Sequence, residues 1–194
     1  MRNTSVQITR QLSALMKVIL LAICLLAPSA NAANVITNGT FNTAITGWTT
    51  SSTPSGNGTT AWSSTNFGAA SGSVRGRTNQ AANTNYTMIL TQTAGTISTT
   101  DSVSISFFWY KSSTTVNATL HTTRVRLRRP GGYTVNVWTH TTIPTTATAL
   151  SGNVTNLDIT SYINATGTYT LLLTGAMTNG NNASARAQTN YDDV

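Results

Sequence analysis

The sequence predicts an all-β protein, an antiparallel jelly-roll β-sandwich, and three observations predict it. After residue 32 no stretch keeps a helical hydrophobic period or a coiled-coil heptad. Short runs alternating between apolar and polar residues are instead separated by turn dipeptides such as Asn38-Gly39 and Gly131-Gly132. The third is composition: Thr makes up about a fifth of the chain, a β-branched polar residue suited to solvent-facing strand positions. Eight or so strands result, the number a jelly roll uses.

The first 32 residues read as a leader rather than as part of that fold. Arg2, Arg10 and Lys17 precede the apolar run Val18 to Ala27, and Ala30-Asn31-Ala32 supplies small residues for cleavage after Ala32. That run is too short to span a bilayer, which takes about 20 residues. Cys24 lies inside it behind the bulky Ile23, an unsuitable context for lipid attachment. Removing the leader takes away the only cysteine, so the remaining domain, residues 33–194, is expected to hold without disulfides. It also takes away three of the 11 basic residues, leaving 8 − 4 = +4 against the four aspartates.

Along the domain, Val35 and Ile36 are expected to begin a strand, Asn38-Gly39 to turn it, and Gly47-Trp48 to close the unit. Thr49 to Thr60 has no periodicity and reads as a loop. Trp62 and Phe67 follow among small residues, and then Arg75 and Arg77 flank Gly76. Tyr86 to Thr93 is a strand. Val103 to Tyr110 is the clearest one, with Val103, Ile105, Phe107 and Trp109 on a core face. Its other face mixes hydroxyls with Phe108 and Tyr110, a composition that suits a ligand or a second sheet.

Arg124 to Arg129 and Tyr133 to Trp138 alternate on either side of Pro130-Gly131-Gly132, which predicts a hairpin. Val125, Leu127, Val135 and Val137 are expected inward; Arg124, Arg126, Arg128, Thr134, Asn136 and Trp138 are expected outward. Leu157 to Ile163 reads as an irregular or single helical turn, Thr168 to Thr174 as a strand with Tyr169, Leu171 and Leu173 inward, and Asn179 to Asn182 as a turn. In the terminal run Tyr191 to Val194, parity counted from Val194 places Asp192 inward and Tyr191 and Asp193 outward.

The opening Asn34 to Trp48 (NVITNGTFNTAITGW) resembles the start of carbohydrate-binding modules of the family 4/9 type, which have a galactose-binding-like jelly-roll fold. Asp158 to Tyr162 (DITSY), Gly167 to Leu171 (GTYTL) and Tyr191 to Val194 (YDDV) follow in that family's order. The resemblance implies a structural Ca²⁺ joining the first and last strands, held by Asp192 with Asn42 and the Gly39 carbonyl of the opening turn. Asn42 stands where the family has an acid, and lost ligand charge lowers calcium affinity. The other reading satisfies Asp192 with backbone N–H groups or hydroxyls. The family's last strand also continues beyond the point where this chain stops, so the closing strand is expected to be short.

Glycoside hydrolysis needs two carboxylates flanking the scissile bond. The chain has only Asp101, Asp158, Asp192 and Asp193, each with a turn or structural role to fill, and His121 and His140 lack metal-ligand spacing. A non-catalytic domain is therefore expected. Sugar binding asks for an aromatic platform beside hydrogen-bonding side chains. Trp138, Tyr133, Asn136, Arg124, Arg126 and Arg128 could supply one platform, and Trp62, Arg75 and Arg77 a second. Trp138 is equally readable as core, and the arginines as a solvated strand face. The expected partner is a poly- or oligosaccharide; the rival reading is a surface-layer, adhesin or filament subunit contacting neighbouring surface proteins. Nucleic acid is not an expected partner at +4, no membrane span is expected after leader removal, and the expected location is secreted or cell surface.

Overall fold

The computed structural model describes residues 34–65, 72–79, 81–113, 120–142, 149–179 and 187–194. The leader, Phe67 and the turn positions after Asn179 lie outside them. Among the described residues ten strands follow one another: β1 Thr49–Thr53, β2 Gly58–Ser63, β3 Ser73–Thr78, β4 Asn85–Ile97, β5 Ser104–Ser113, β6 Leu120–Arg128, β7 Thr134–Thr142, β8 Ala149–Asp158, β9 Gly167–Thr178 and β10 Ala187–Asp192. They form two five-stranded sheets, β1-β4-β9-β6-β7 and β2-β3-β10-β5-β8, with every pairing antiparallel. Only β2–β3 and β6–β7 are consecutive strands within one sheet; every other connection crosses between sheets, giving the jelly-roll layering.

The core lies between the sheets. Tyr86, Met88 and Leu90 of β4, Val125 and Leu127 of β6, and Tyr169, Leu171 and Leu173 of β9 face Val74 of β3, Phe107 and Trp109 of β5 and Tyr191 of β10. The faces expected for Ile105, Phe107 and Trp109, and for Tyr169, Leu171 and Leu173, are those observed. The β6–β7 hairpin closes through Arg129 N–H to the Tyr133 carbonyl, and Thr160–Tyr162 forms the single 3-10 turn expected after Leu157.

Two expectations fail near the start. Residues 35–48 form bends and turns rather than a strand. Asn38 and Phe41 adopt positive φ, which interrupts the extended alternation a strand needs. Side chains satisfy the backbone instead: Asn38 Nδ2 donates to the Ala44 and Thr46 carbonyls, and Gln92 bonds Thr37 N–H, Thr37 O and Gly47 O. Phe41 and Trp48, fully or nearly buried with ring centroids 5.5 Å apart, cap one end of the sandwich. The expected loop at Thr49–Thr60 is also corrected, since it contains β1 and the start of β2. Both are edge strands, held by backbone pairing to β4 and β3 and mostly exposed, so they need no apolar period.

The opening turn of the domain meets the residues after β10. Val194 N–H donates to the Gly39 carbonyl at 3.1 Å, and a Cβ built on Gly39 would collide with the Val194 carbonyl.

Candidate functional site

The outward face of the second sheet is built by alternation. Val74, Gly76 and Thr78 turn inward on β3, so Arg75 and Arg77 turn outward; Phe107, Trp109 and Lys111 turn inward on β5, so Phe108, Tyr110 and Ser112 turn outward. On β10, Ala187, Thr189 and Tyr191 belong to the interior, leaving Gln188, Asn190 and Asp192 on the outward face. Register then aligns Ala61, Arg75, Asn190, Tyr110 and Ser151 in one row across all five strands. Gln188 with Arg77 and Ser112 forms the row on one side, and Asp192 with Phe108 and Asn153 the row on the other.

Hydrogen bonds fix these side chains. Arg77 donates to Gln188 Oε1 at 3.1 Å, Gln188 donates to Asn190 Oδ1 at 2.8 Å, and Asn190 donates to Ser73 Oγ at 2.9 Å. Asn190 and Ser73 are fully buried, whereas Arg75, Phe108 and Tyr110 are half-buried and present atoms to solvent. An amide network thus shares the face with two aromatic rings and Arg75, already arranged before any ligand arrives. The aromatic face of β5 was visible in the sequence. Gln188 and Asn190 were not, because nothing local says that the last strand inserts between β3 and β5.

Of the sequence-derived candidates, Arg75 and Arg77 lie on this face, while Trp62 lies inside the sandwich. Trp62 pairs with the buried Val74, and its indole N–H donates to the Phe41 carbonyl. Trp138 also turns inward, which corrects its expected orientation. The β6–β7 register slips between Val125 and Arg126, so Trp138 pairs with inward Val125 while Asn136 pairs with outward Arg126. That bulge reverses the parity counted from the sequence. Trp138 packs on Phe107 and Trp109, with ring centroids 5.0 and 5.7 Å apart.

Arg124, Arg126, Arg128 and Asn136 share the outward face of the first sheet, and Tyr133, 69% exposed, sits at the hairpin tip.

Asp192 requires a second correction of parity. Tyr191, not Asp192, faces the core: its hydroxyl lies 2.8 Å from the carbonyls of both Arg124 and Thr174 in the opposite sheet. Burial pushes that phenol well above its usual range. Val194 misled the parity count because Asp193, at φ 48°, breaks the extended strand before it. Asp192 is buried on the outward face, and its Oδ1 accepts the Asp193 N–H.

These positions fit a calcium ion poorly. Calcium takes six to eight oxygens, commonly with several carboxylates. Here Gly39 O already accepts Val194 N–H, Asn42 is exposed while Asp192 is buried, and no cluster of three acidic, histidine or cysteine residues occurs among the described residues.

The interior carries a polar cluster around Lys111. Lys111, 2% exposed, donates from Nζ to the His121 and His140 carbonyls at 3.2 and 3.3 Å, and lies 5.5 Å from the Trp109 ring. Burial lowers its ammonium to about 8. His121 bonds Thr189 Oγ1 through Nε2 at 2.6 Å; burial first, then the Lys111 charge and His140, lower it to about 3. His140 packs tilted against Trp109 with ring centroids 4.4 Å apart, and its pKa is also lowered, by burial and then by the Lys111 charge. His121 is therefore neutral near pH 7.

No protein-family model matches the sequence, and no curated protein matches it. Solved structures with a similar trace include a CBM61 module in complex with β-1,4-galactotriose, at 11% identity and a TM-score of 0.47, covering 84% of this chain and 96% of that one. A family 11 carbohydrate-binding module from Clostridium thermocellum, in complex with a β-1,3-1,4-mixed-linked tetrasaccharide, matches at 9% identity and 0.38, covering 76% and 88%. The enzymatically active domain of bacteriophage CBA120 tailspike protein 4 matches at 15% and 0.40, with 83% of this chain but 21% of that one. At such identities and scores the likeness decides nothing about ligand, and the architecture rests on the strand order described above.

Proposed function

We propose that this protein is an exported, non-catalytic carbohydrate-binding domain, and that its ligand lies across the outward face of the second sheet. The observation that carries the reading is the row Arg75, Asn190, Tyr110, with Phe108 two residues from Tyr110 on the same face. Arg75 and Tyr110 are two strands apart, about 10 Å at the usual inter-strand spacing. A pyranose ring can rest on one aromatic while guanidinium and amide groups reach its hydroxyls. Aromatics and amides without a strong charge field suit a neutral sugar. The carboxylates support the non-catalytic reading: Asp101 accepts the Ser98 N–H and Asp158 accepts the Thr160 N–H, so both serve turns. The Thr160 hydrogen bonds hold Asp158 below its ordinary range, opposite to what a general acid needs.

Affinity electrophoresis through gels containing neutral polysaccharides, galactan and mixed-linked glucan among them, tests this. Retardation by at least one polymer, lost in Tyr110→Ala with an unchanged melting curve, is the expected result. Unretarded migration on every neutral polymer, together with concentration-dependent self-assembly, would instead favour a structural surface subunit.

A further inference from the structure

The outward face of the first sheet carries a second pattern, independent of the sugar-binding reading. Arg124, Arg126 and Arg128 pair with Thr174, Leu172 and Thr170 of β9, and on the other side Arg126 and Arg128 pair with Asn136 and Thr134 of β7. Alternate residues of a strand stand about 7 Å apart, so the three guanidinium groups span about 14 Å in a line. No carboxylate shares that sheet. The chain's four acids are Asp101 before β5, Asp158 at the end of β8, and Asp192 and Asp193 at the end of β10.

Two observations separate this stripe from a solvated strand face. Charged residues that guard against aggregation belong on edge strands, yet β6 lies inside the sheet, hydrogen-bonded to β9 and β7. In addition, Arg126 Nε is buried without a hydrogen-bond acceptor among the described residues. Its neighbour Leu172 points outward yet is only 3% exposed, and it lies outside the main core cluster. The arginine stems lying along the sheet would cover it. Arg126 as a whole is half-buried, so the accessible part of its guanidinium group can meet an oxyanion on a face that supplies no carboxylate of its own.

We propose that this face binds a linear acidic polysaccharide, one whose carboxylate groups recur along the chain and pair in succession with Arg124, Arg126 and Arg128. Charge complementarity argues for a polyanion. The strand partners offer threonine, leucine and asparagine, and Tyr133 at the hairpin tip does not make a run of rings along the stripe on which successive bases could stack, which favours an acidic sugar over a single-stranded nucleic acid.

The test is affinity electrophoresis of the protein through polygalacturonate, with a single-stranded DNA oligonucleotide as competitor. Retardation that weakens with added salt, falls at least about tenfold in Arg126→Gln and also falls in Arg124→Gln is the expected result. Arg129→Gln removes the same charge from the hairpin turn, where Arg129 Nε donates to the Tyr162 carbonyl, and should retain affinity. Unretarded migration overturns the proposal, as does a folded Arg126→Gln protein that binds as well as the parent. Equal losses in Arg129→Gln would mean bulk charge, and displacement by DNA at concentrations equivalent to polygalacturonate would mean a general polyanion surface; either sinks the acidic-sugar assignment. Circular dichroism of each variant separates loss of the site from loss of the fold. Galactan and mixed-linked glucan binding through Tyr110 should be untouched by Arg126→Gln, so the two faces fail separately.

Discussion

The two outward faces of this sandwich are built from the same alternation but solve different problems. On the second sheet, polar side chains bond one another: Arg77, Gln188, Asn190 and Ser73 form a chain of hydrogen bonds on the face that Phe108 and Tyr110 share. On the first, cations stand among threonines with no acid on their sheet, and the Arg126 Nε is without an acceptor among the described residues. A satisfied network is rigid and suits a neutral ligand whose hydroxyls add to it. Unsatisfied cations suit a ligand that brings the missing charge. Between these faces lies an interior that includes both tryptophans of the β5–β7 contact, so neither face owes its chemistry to Trp138.

That last point gives the largest expected effect. Trp138→Ala should cost about 3 kcal/mol, since it empties an aromatic cluster, and lower the melting temperature by about 8 °C in a domain of this size. Thermal melts read it directly; a fully stable variant that had lost all sugar binding would restore Trp138 as an exposed platform. Next comes Tyr110→Ala, expected to weaken neutral-glycan binding by about 2 kcal/mol, roughly thirtyfold, with little change in melting. Isothermal titration with the retarding polymer distinguishes this from a stability effect.

The interior polar cluster predicts a pH response that neither face shares. His121 is lowered when folded, so the unfolded chain binds more protons below about 6.5, and stability should fall as pH drops from there toward about 3. Lys111 is lowered from 10.5 to about 8, so stability should rise between those values as the ammonium is lost. Melting curves from pH 5 to 10 test both limbs, and Lys111→Met should remove the alkaline rise. The smallest expected effect concerns the contact between the opening turn and the residues after β10. Chelator should leave the melting temperature unchanged, because Val194 and Gly39 close through a backbone hydrogen bond and the nearby oxygens fit calcium poorly. A fall of several degrees on chelation would show an ion there.

Much of the fold was legible because its longest strands alternate cleanly. Ser104–Ser113 and Leu120–Arg128 declare their inward faces through Phe107 and Trp109 on one sheet and Val125 and Leu127 on the other, each pair spaced with the period of the pleat. Three features were not legible, each for a local reason. β1 and β8 are edge strands rich in Ser, Thr and Asn, held by backbone bonds that leave no apolar signature. Trp138 was assigned to the wrong face because one bulge residue shifts parity, and period counting cannot see a bulge. Parity from Val194 points Asp192 inward only if the strand runs through Val194, whereas Asp193 turns out of it.

From sequence alone came the all-β class, the inward faces of the central strands, the arginine stripe on β6 and the pair Phe108 and Tyr110 on one side of β5. Alternation fixes such features residue by residue, with no knowledge of neighbours. Only the tertiary structure placed β10 between β3 and β5, bringing Gln188 and Asn190 beside Arg77, Arg75 and Tyr110. The reason is physical: a strand's faces are written in its own period, but its neighbours depend on crossovers between sheets that join residues more than 70 positions apart.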